Sequence, residues 1–571
     1  MIKQIQSTTR RLWTAWMSVQ VEFQGRYSVD RLQRLASYSR SLKASRLLAI
    51  LVFTPLPSLA ISLLKELPPL SPPEAGVFNN EVFFVRSWLV LAFISGNVLI
   101  QMGQSAPRLK LTPRQVVLSA LFASAVSVGI IVLLCVLTVF PLPFGLLIVA
   151  PPDVILTTAC FVYISGPRWR ADPTLWEDVK RQLSVFNCQV ALTFIYPIYI
   201  YGFVSLTGIH QAMFVVILPI IQLIAKNWVS RQHTNHDLKP ESVIFIVEVF
   251  NALYVSNALH NSSSWKTTAA IMTIDFLHFW VSMFDVIEAL NEVKILMAKI
   301  PRSHPIAQES FVQIAMRILD IEATLKASRT DSTKNASWGL RMEKWVSSSN
   351  ESKASSSRDA SSTATRMIMG SGRKLSSNIA RIFPIRFFHR RKWWQPRVRP
   401  TFAVEGHKVT RHPREELKLE TIFSSKQRAL FIRKSARVLF ITEYLVLIEY
   451  AEVVLPIVYS VHEVILYNMP NRAFYPALAD LSHAELLASV KNVLLYSSFE
   501  FVSLIMALAV LKRILQFSTL HQLAFVLETQ AAMVQSKLTT LFVYVMQVPL
   551  VHLGTDFTFK FAWIHASDNT S

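Results

Sequence analysis

Residues 116–140 read VVLSALFASAVSVGIIVLLCVLTVF and contain no charged side chain. A helix needs about 20 apolar residues to cross the hydrocarbon core of a bilayer, which is about 30 Å thick. Lipid offers the backbone no hydrogen-bond partner, so a run of this kind inside a membrane must be helical. The stretch therefore predicts a transmembrane helix.

Similar apolar runs recur along the chain, which is 52% hydrophobic and only 17% charged. Soluble proteins carry about 25% charged residues. The runs predict ten spans, at 46–64, 86–103, 116–140, 143–164, 189–206, 211–226, 242–260, 267–288, 436–460 and 492–511. Glycine is scarce and alternating strands are absent, which argues against a membrane β-barrel. We expect an all-α integral membrane protein with about ten transmembrane helices.

An eleventh span is possible at 537–553. This stretch is short, and Gln547, Pro549 and His552 interrupt its apolar character. A re-entrant or interfacial helix fits the pattern nearly as well. Whether it spans decides on which side of the membrane the carboxy terminus lies.

The distribution of Lys and Arg predicts an orientation, because cytosolic loops carry an excess of both residues. Residues 1–45 resemble a basic amphipathic cytosolic leader rather than a cleavable signal peptide. The turns around 108–114, 168–181 and 226–239 are also basic, whereas the intervening turns carry few cations. We therefore expect a multi-pass protein with its amino terminus in the cytosol.

The net charge of +21 is concentrated in residues 301–434, which hold 27 Lys and Arg residues against 11 Asp and Glu residues. The Ser-rich composition of much of this stretch is typical of disorder. The predicted organisation has five parts. These are the leader at 1–45, an eight-span membrane domain at 46–290, a cytosolic helical extension at 291–327, a disordered basic cytosolic linker at 328–434, and a two- or three-span membrane domain at 435–571.

The linker contains a segment that interleaves cations with aromatic residues, RIFPIRFFHRRKWWQPRVR at 381–399. Cations attract anionic headgroups at about 1 kcal/mol each, and aromatic rings insert at the membrane interface. A bland basic linker is the alternative, and nucleic-acid binding needs similar residue types. A loop tethered beside a membrane meets lipid first, so we favour contact with anionic lipid over nucleic acid. The candidate contact residues are Arg381, Arg386, Arg390, Arg391, Lys392, Trp393, Trp394, Arg397 and Arg399.

Several predicted spans carry polar side chains at membrane depth, where a charge costs about 2.5–3.5 kcal/mol on insertion scales. Such groups normally face a protein interior or a water-filled path. The spacing places Glu449 and Glu452 on one helical face, and likewise Glu248 and Asn251. The predicted intramembrane polar site comprises Glu248, Asn251, Asp275, His278, Asp285, Glu449, Glu452 and Glu500. These acids either line a cavity that binds a cation or relays protons, or pair with neighbouring side chains and only hold the bundle together.

No motif in the sequence indicates an enzyme or a cofactor. Dinucleotide-binding, P-loop, zinc-protease and serine-hydrolase signatures are all absent. Asp275-x-x-His278 and Glu449-x-x-Glu452 resemble half of a carboxylate di-metal bundle, but only one carboxylate-x-x-His pair is present within a span. The three cysteines form no CxxC pair. We therefore predict no catalytic residues, no resident metal and no cofactor.

Three strings have a familiar pattern, FEFVS at 499–503, QLAFVLETQ at 522–530 and EVFNALY at 248–254. They resemble a set of uncharacterised multi-pass membrane proteins predicted from oomycete genomes. The resemblance covers most of the chain outside the linker. It implies a membrane fold but brings no known function.

Two functions from different classes remain open. One is a transporter or channel-like protein that uses the carboxylates of the last four firm spans. The other is a non-transporting scaffold or receptor that acts through its basic cytosolic loop. Neutralising Asp275, Glu449 and Glu500 would affect only the first, whereas deleting 381–399 would affect only the second.

Overall fold

The computed structural model describes residues 20–21, 25–206, 210, 213–214, 216–233, 236–261, 265–301, 304–325 and 422–556. Helices account for nearly all of the regular structure in these ranges. They are α1 Val29–Ser41, α2 Ala44–Phe53, α3 Leu56–Leu64, α4 Glu81–Ser105, α5 Pro113–Leu137, α6 Gly145–Ala171, α7 Pro173–Ser205, α8 Ile217–Gln232, α9 Lys239–Asn261, α10 Trp265–Met297, α11 311–325, α12 Ser425–Tyr467, α13 Pro476–Ala479, α14 His483–Leu515, α15 Thr519–Thr529 and α16 Ala531–Val545. Short 3-10 turns join several of them.

The chain divides into two compact units. The first comprises Met1–Met316 and Ile422–Ser571 and contains all of the long apolar helices described below. The second is Arg317–Thr421, of which the structure describes only the helical residues 317–325. The predicted linker from 328 to 421, including the basic aromatic segment, therefore lies outside the described residues.

Seven helices among the described residues are long and apolar enough to cross a membrane. They are Ala44–Leu64, Glu81–Ser105, Pro113–Leu137, Gly145–Ala171, Thr174–Phe203, Lys239–His260 and His483–Leu515. Several expose large apolar side chains, among them Leu118, Leu137 and Ile155, each about two-thirds exposed. Extended apolar surface of this kind is rare on soluble monomers. The structure is compatible with a multi-pass membrane protein.

Three of the ten predicted spans belong to helices outside this set. The span predicted at 211–226 falls on α8, which has only 16 residues. The spans predicted at 267–288 and 436–460 fall on α10 and α12. The count of ten spans thus remains a prediction.

Two helices form the centre of the first unit. Nearly all of α9 is buried, as is α12 between Val438 and Val453. Both are mostly apolar on every side, with a few buried polar residues, which is the pattern of a helix surrounded by other helices. α8, α10, α14 and α16 pack around this pair. The middle of α12 is therefore surrounded by protein.

The predicted disordered linker is wrong for residues 425–434, because they already form the first turns of α12. Ser424 and Gln427 form a reciprocal capping box there, with the Gln427 amide donating to the Ser424 hydroxyl at 3.4 Å and the Ser424 amide donating to the Gln427 carboxamide at 3.1 Å. Such a box satisfies two backbone donors at a helix start. Phe431 packs inward and is fully buried. The capping box and the buried Phe431 thus allow α12 to begin at Ser425, ahead of the predicted end of the linker at 434.

The possible eleventh span is not one continuous helix. α16 ends at Val545, ahead of Gln547 and Pro549, and its 15 residues reach about 22 Å. α16 packs against α3, α4 and α9 rather than facing outward. The segment from 537 to 553 is thus a short buried helix followed by turns.

The two ends of the helical bundle differ in character. At one end, which we call the leader end, α1 packs against α15. At the other, the turn end, Leu70, Leu478 and Leu553 share an apolar cluster. Tyr475 donates a hydrogen bond of 2.6 Å to buried Glu66, which also pairs with Arg86. α14 and the α15–α16 pair connect these two ends.

Candidate intramembrane acid site

Five of the predicted acids converge near the middle of four packed helices. Glu248 lies on α9, Asp275 on α10 and Glu500 on α14, and Glu449 and Glu452 lie on α12. We call these five residues the acid cluster. Glu449, Glu452 and Glu500 interact electrostatically with Asp275, and the two α12 acids also interact with Glu248. Four separate stretches of sequence thus contribute carboxyl groups to one place.

Three members of the cluster are especially close. One carboxylate oxygen from each of Glu449, Glu452 and Glu500 lies within 4.8 Å of the other two. Glu449 and Glu452 are three residues apart, so they share the face of α12 that packs against α14. All three side chains are buried. The arrangement is a compact, protein-enclosed group of oxygen ligands.

The other two acids have partners that the sequence did not reveal. The ammonium of Lys226, in the middle of α8, lies 2.6 Å from Glu248 Oε1, and both side chains are buried. Tyr496 on α14 donates a hydrogen bond of 3.1 Å to Asp275. Lys226 also interacts electrostatically with Asp275. Lys226 therefore interacts with both acids on the α9–α10 side of the cluster.

On the α12–α14 side, Ser503 donates hydrogen bonds to Glu449 and to the backbone oxygen of Glu500, the latter at 3.1 Å. Within the part of the chain that the structure describes, no cation forms an ion pair with Glu449, Glu452 or Glu500. Two carboxylates 4.8 Å apart repel by about 3.5 kcal/mol at an effective dielectric constant of 20. Three negative charges this close would repel one another, and bound protons or a bound cation would relieve that repulsion.

The remaining predicted residues join the cluster less directly. His278 lies one turn from Asp275 and interacts electrostatically with Lys226. Asn251 is buried one turn from Glu248. Asp285 is also buried, but it lies about 15 Å further along α10 and interacts with Glu288 instead. The geometry thus separates Asp285 from the other acids.

Lys226, Tyr496 and Ser503 are members of the site that the sequence pattern did not predict. Lys226 ends an apolar run, and a cation in that position usually marks the membrane boundary. Tyr496 and Ser503 lie four residues before and three after Glu500, so their shared helix face with Glu500 is a signal that could have identified them. Only the packing of α8 against α9 identifies Lys226 as a partner.

A second buried polar network lies at the leader end. Arg31 Nη2 on α1 lies 2.6 Å from Glu241 and 2.7 Å from Glu443. Tyr27 donates a hydrogen bond to Glu443, and the Gln522 carboxamide donates to the Tyr27 hydroxyl at 2.7 Å. Each acid is paired with a cation, so this network joins the leader to α9, α12 and α15 without a free carboxylate.

No family model, no curated protein and no solved structure matches this chain.

Proposed function

We propose that this protein is a transporter or channel-like membrane protein in which the acid cluster binds a cation or relays protons. The observation that carries the proposal is the trio Glu449, Glu452 and Glu500, which is buried at mid-helix without a paired cation among the described residues. Ionisable groups at membrane depth commonly mark ion pathways or proton relays. The proposed orientation places the amino terminus in the cytosol.

The chemistry of the cluster supports a small cation or protons. Carboxylate oxygens are hard ligands that suit Ca²⁺, Mg²⁺ and similar ions. Among the described residues, five acids lie together and only Lys226 pairs with one of them, Glu248, so the site favours neutralisation by bound positive charge. The Lys226–Glu248 pair adjoins the trio through Glu248. A cation bound by the trio would therefore change the electrostatic potential at the Lys226–Glu248 pair.

The test uses the full-length protein reconstituted in liposomes. Proton flux is followed with an internal pH-sensitive dye, and Na⁺ and Ca²⁺ uptake with radioisotopes. The triple variant Asp275→Asn/Glu449→Gln/Glu500→Gln is compared with Asp285→Asn, which alters a buried acid of α10 outside the cluster. We expect the triple variant to lose at least about 90% of the flux, a tenfold loss, and Asp285→Asn to retain it.

Equal flux in the triple variant and the wild-type protein would overturn the proposal. So would the absence of proton, Na⁺ and Ca²⁺ flux from correctly folded wild-type protein. Folding is checked by a monodisperse size-exclusion profile for each variant.

The second candidate is a scaffold or receptor that acts through its basic loop. It is favoured by the seven cations and the interleaved aromatic residues of 381–399, which suit an anionic membrane surface. If deletion of 381–399 abolishes cellular localisation while the triple variant behaves as wild type, the scaffold function is favoured. A 381–399 peptide that shows no preference for anionic liposomes would contradict it.

A further inference from the structure

A cavity of about 290 Å³ lies among α4, α6, α7 and α16, and none of its lining residues belongs to the helices that carry the acid cluster. Apolar side chains line most of it, including Val98, Phe161 and Leu541. An engineered apolar cavity of about 150 Å³ is large enough to hold benzene. The space is thus sufficient for the apolar part of a lipid-like molecule.

One wall of the cavity carries an isolated acid. Asp153 on α6 lines the cavity and is only 5% exposed. Ser95 on α4 donates a hydrogen bond to Asp153 Oδ2. Asp153 Oδ1 has no hydrogen-bond partner in the described part of the chain. A buried polar atom left without a partner costs about 1–3 kcal/mol, so this oxygen favours a ligand that donates a hydrogen bond.

A second polar atom reinforces this point. Thr157 lies one turn after Asp153, lines the same cavity and is also buried. Its hydroxyl has no hydrogen-bond partner among the described residues. Asp153, Thr157 and Phe161 recur every four residues, so they share one face of α6. Along this face of α6, the cavity wall is therefore polar at Asp153 and Thr157 and apolar at Phe161.

The cavity adjoins the outer apolar surface of the protein. Val154, Val162 and Leu183 line it and are each about 40% exposed. They belong to α6 and α7, two of the helices long and apolar enough to cross a membrane. The hydrocarbon core of the bilayer is what these exposed side chains would contact. The cavity therefore lies next to the surface that a membrane-dissolved ligand would approach.

We propose that this cavity binds a membrane-dissolved apolar molecule carrying one hydrogen-bond-donating group, which contacts Asp153. The apolar body of the ligand lies against α4, α6 and α7. The donor is either the hydroxyl of a neutral lipid or the amino group of a lipophilic amine, since both supply the same contact.

The test uses full-length protein in nanodiscs and three diazirine-bearing probes with identical alkyl chains. One probe ends in a hydroxyl, one in an amine and one in a methyl ether, which cannot donate. Mass spectrometry locates the crosslinks after photolysis. We expect at least fivefold more labelling of α4, α6 or α7 by one of the donor probes than by the ether. Preference for the hydroxyl identifies a neutral lipid, and preference for the amine identifies a lipophilic cation.

Two variants challenge the site in different ways. Asp153→Leu removes the acceptor, and Val98→Phe fills the space. Each should lower donor-probe labelling at least fivefold, whereas Asp285→Asn, a buried acid outside the cavity, should not. The proposal is overturned if all three probes label equally, if labelling maps to exposed faces only, or if Val98→Phe folds normally and labels like the wild-type protein.

Discussion

The ammonium group of Lys226 lies 2.6 Å from a carboxylate oxygen of Glu248, and both side chains are buried between α8 and α9. Removing one partner of a buried ion pair leaves an uncompensated charge, which typically costs about 3–5 kcal/mol. We therefore expect Lys226→Met to lower the free energy of unfolding by about that amount. Thermal unfolding of the detergent-solubilised protein measures the effect.

The double variant Lys226→Met/Glu248→Gln serves as the control for this prediction. It removes both charges and should recover most of the lost stability. A Lys226→Met variant as stable as the wild-type protein would show that the two groups are not paired as the structure has them.

Arg31 should contribute far more to stability than Arg34, although both belong to α1. Arg31 is buried between Glu241 and Glu443, whereas the Arg34 side chain is 55% exposed and pairs with Asp30, which is 74% exposed. We expect Arg31→Met to cost about 3–5 kcal/mol. Arg34→Met should stay within about 0.5 kcal/mol of the wild-type protein. Equal unfolding temperatures for the two variants would refute the buried network.

His233 should make the protein less stable in acid. It follows α8, outside the seven candidate spanning helices. Burial, together with the positive charges of Lys537 and Lys239, lowers the pKa of His233 to about 3. An unfolded chain has a histidine pKa of about 6.5, so below that pH it binds a proton that the folded protein does not. The free energy of unfolding therefore falls as the pH is lowered from about 6.5 towards 3.

The comparison for this prediction is between wild-type protein and His233→Gln at about pH 7.5 and about pH 5, on either side of the histidine pKa of an unfolded chain. The unfolding temperature of the variant should fall less over this interval, because the residue that gains the proton is missing. The same decrease in both proteins would contradict the prediction.

Gly554 should tolerate no side chain. Its backbone has a φ of +59°, and an added Cβ would lie 2.2 Å from the Leu142 carbonyl oxygen. We expect Gly554→Ala to cost about 1–3 kcal/mol, from strain and from displacing that loop.

Gly129, within α5, is a matched control because nothing lies within 4 Å of the point that an added Cβ would occupy. Gly129→Ala should instead gain about 0.5–1 kcal/mol. If both variants unfold at the wild-type temperature, residue 554 does not pack against the α5–α6 turn in the way described here.

The helical class of this protein was predictable from composition and from runs such as 116–140, since apolar length alone decides whether a helix can cross a bilayer. The mid-helix acids were also visible, because a carboxylate within an apolar run stands out in a sequence. Helix spacing predicted that Glu449 and Glu452 share a face. These are local properties, which depend only on nearby residues.

Only the tertiary structure decided which distant residues meet. Nothing local to Arg31 indicates that Glu443, more than 400 positions away, lies beside it. Nothing near Lys226 in the sequence indicates Glu248 as its partner. A buried polar group needs a partner wherever the fold supplies one, and that choice is made by helix packing rather than by sequence distance. The sequence by itself therefore determined a helical fold with long apolar helices and acids within them, while the fold decided which acids are paired and which three remain together without a cation among the described residues.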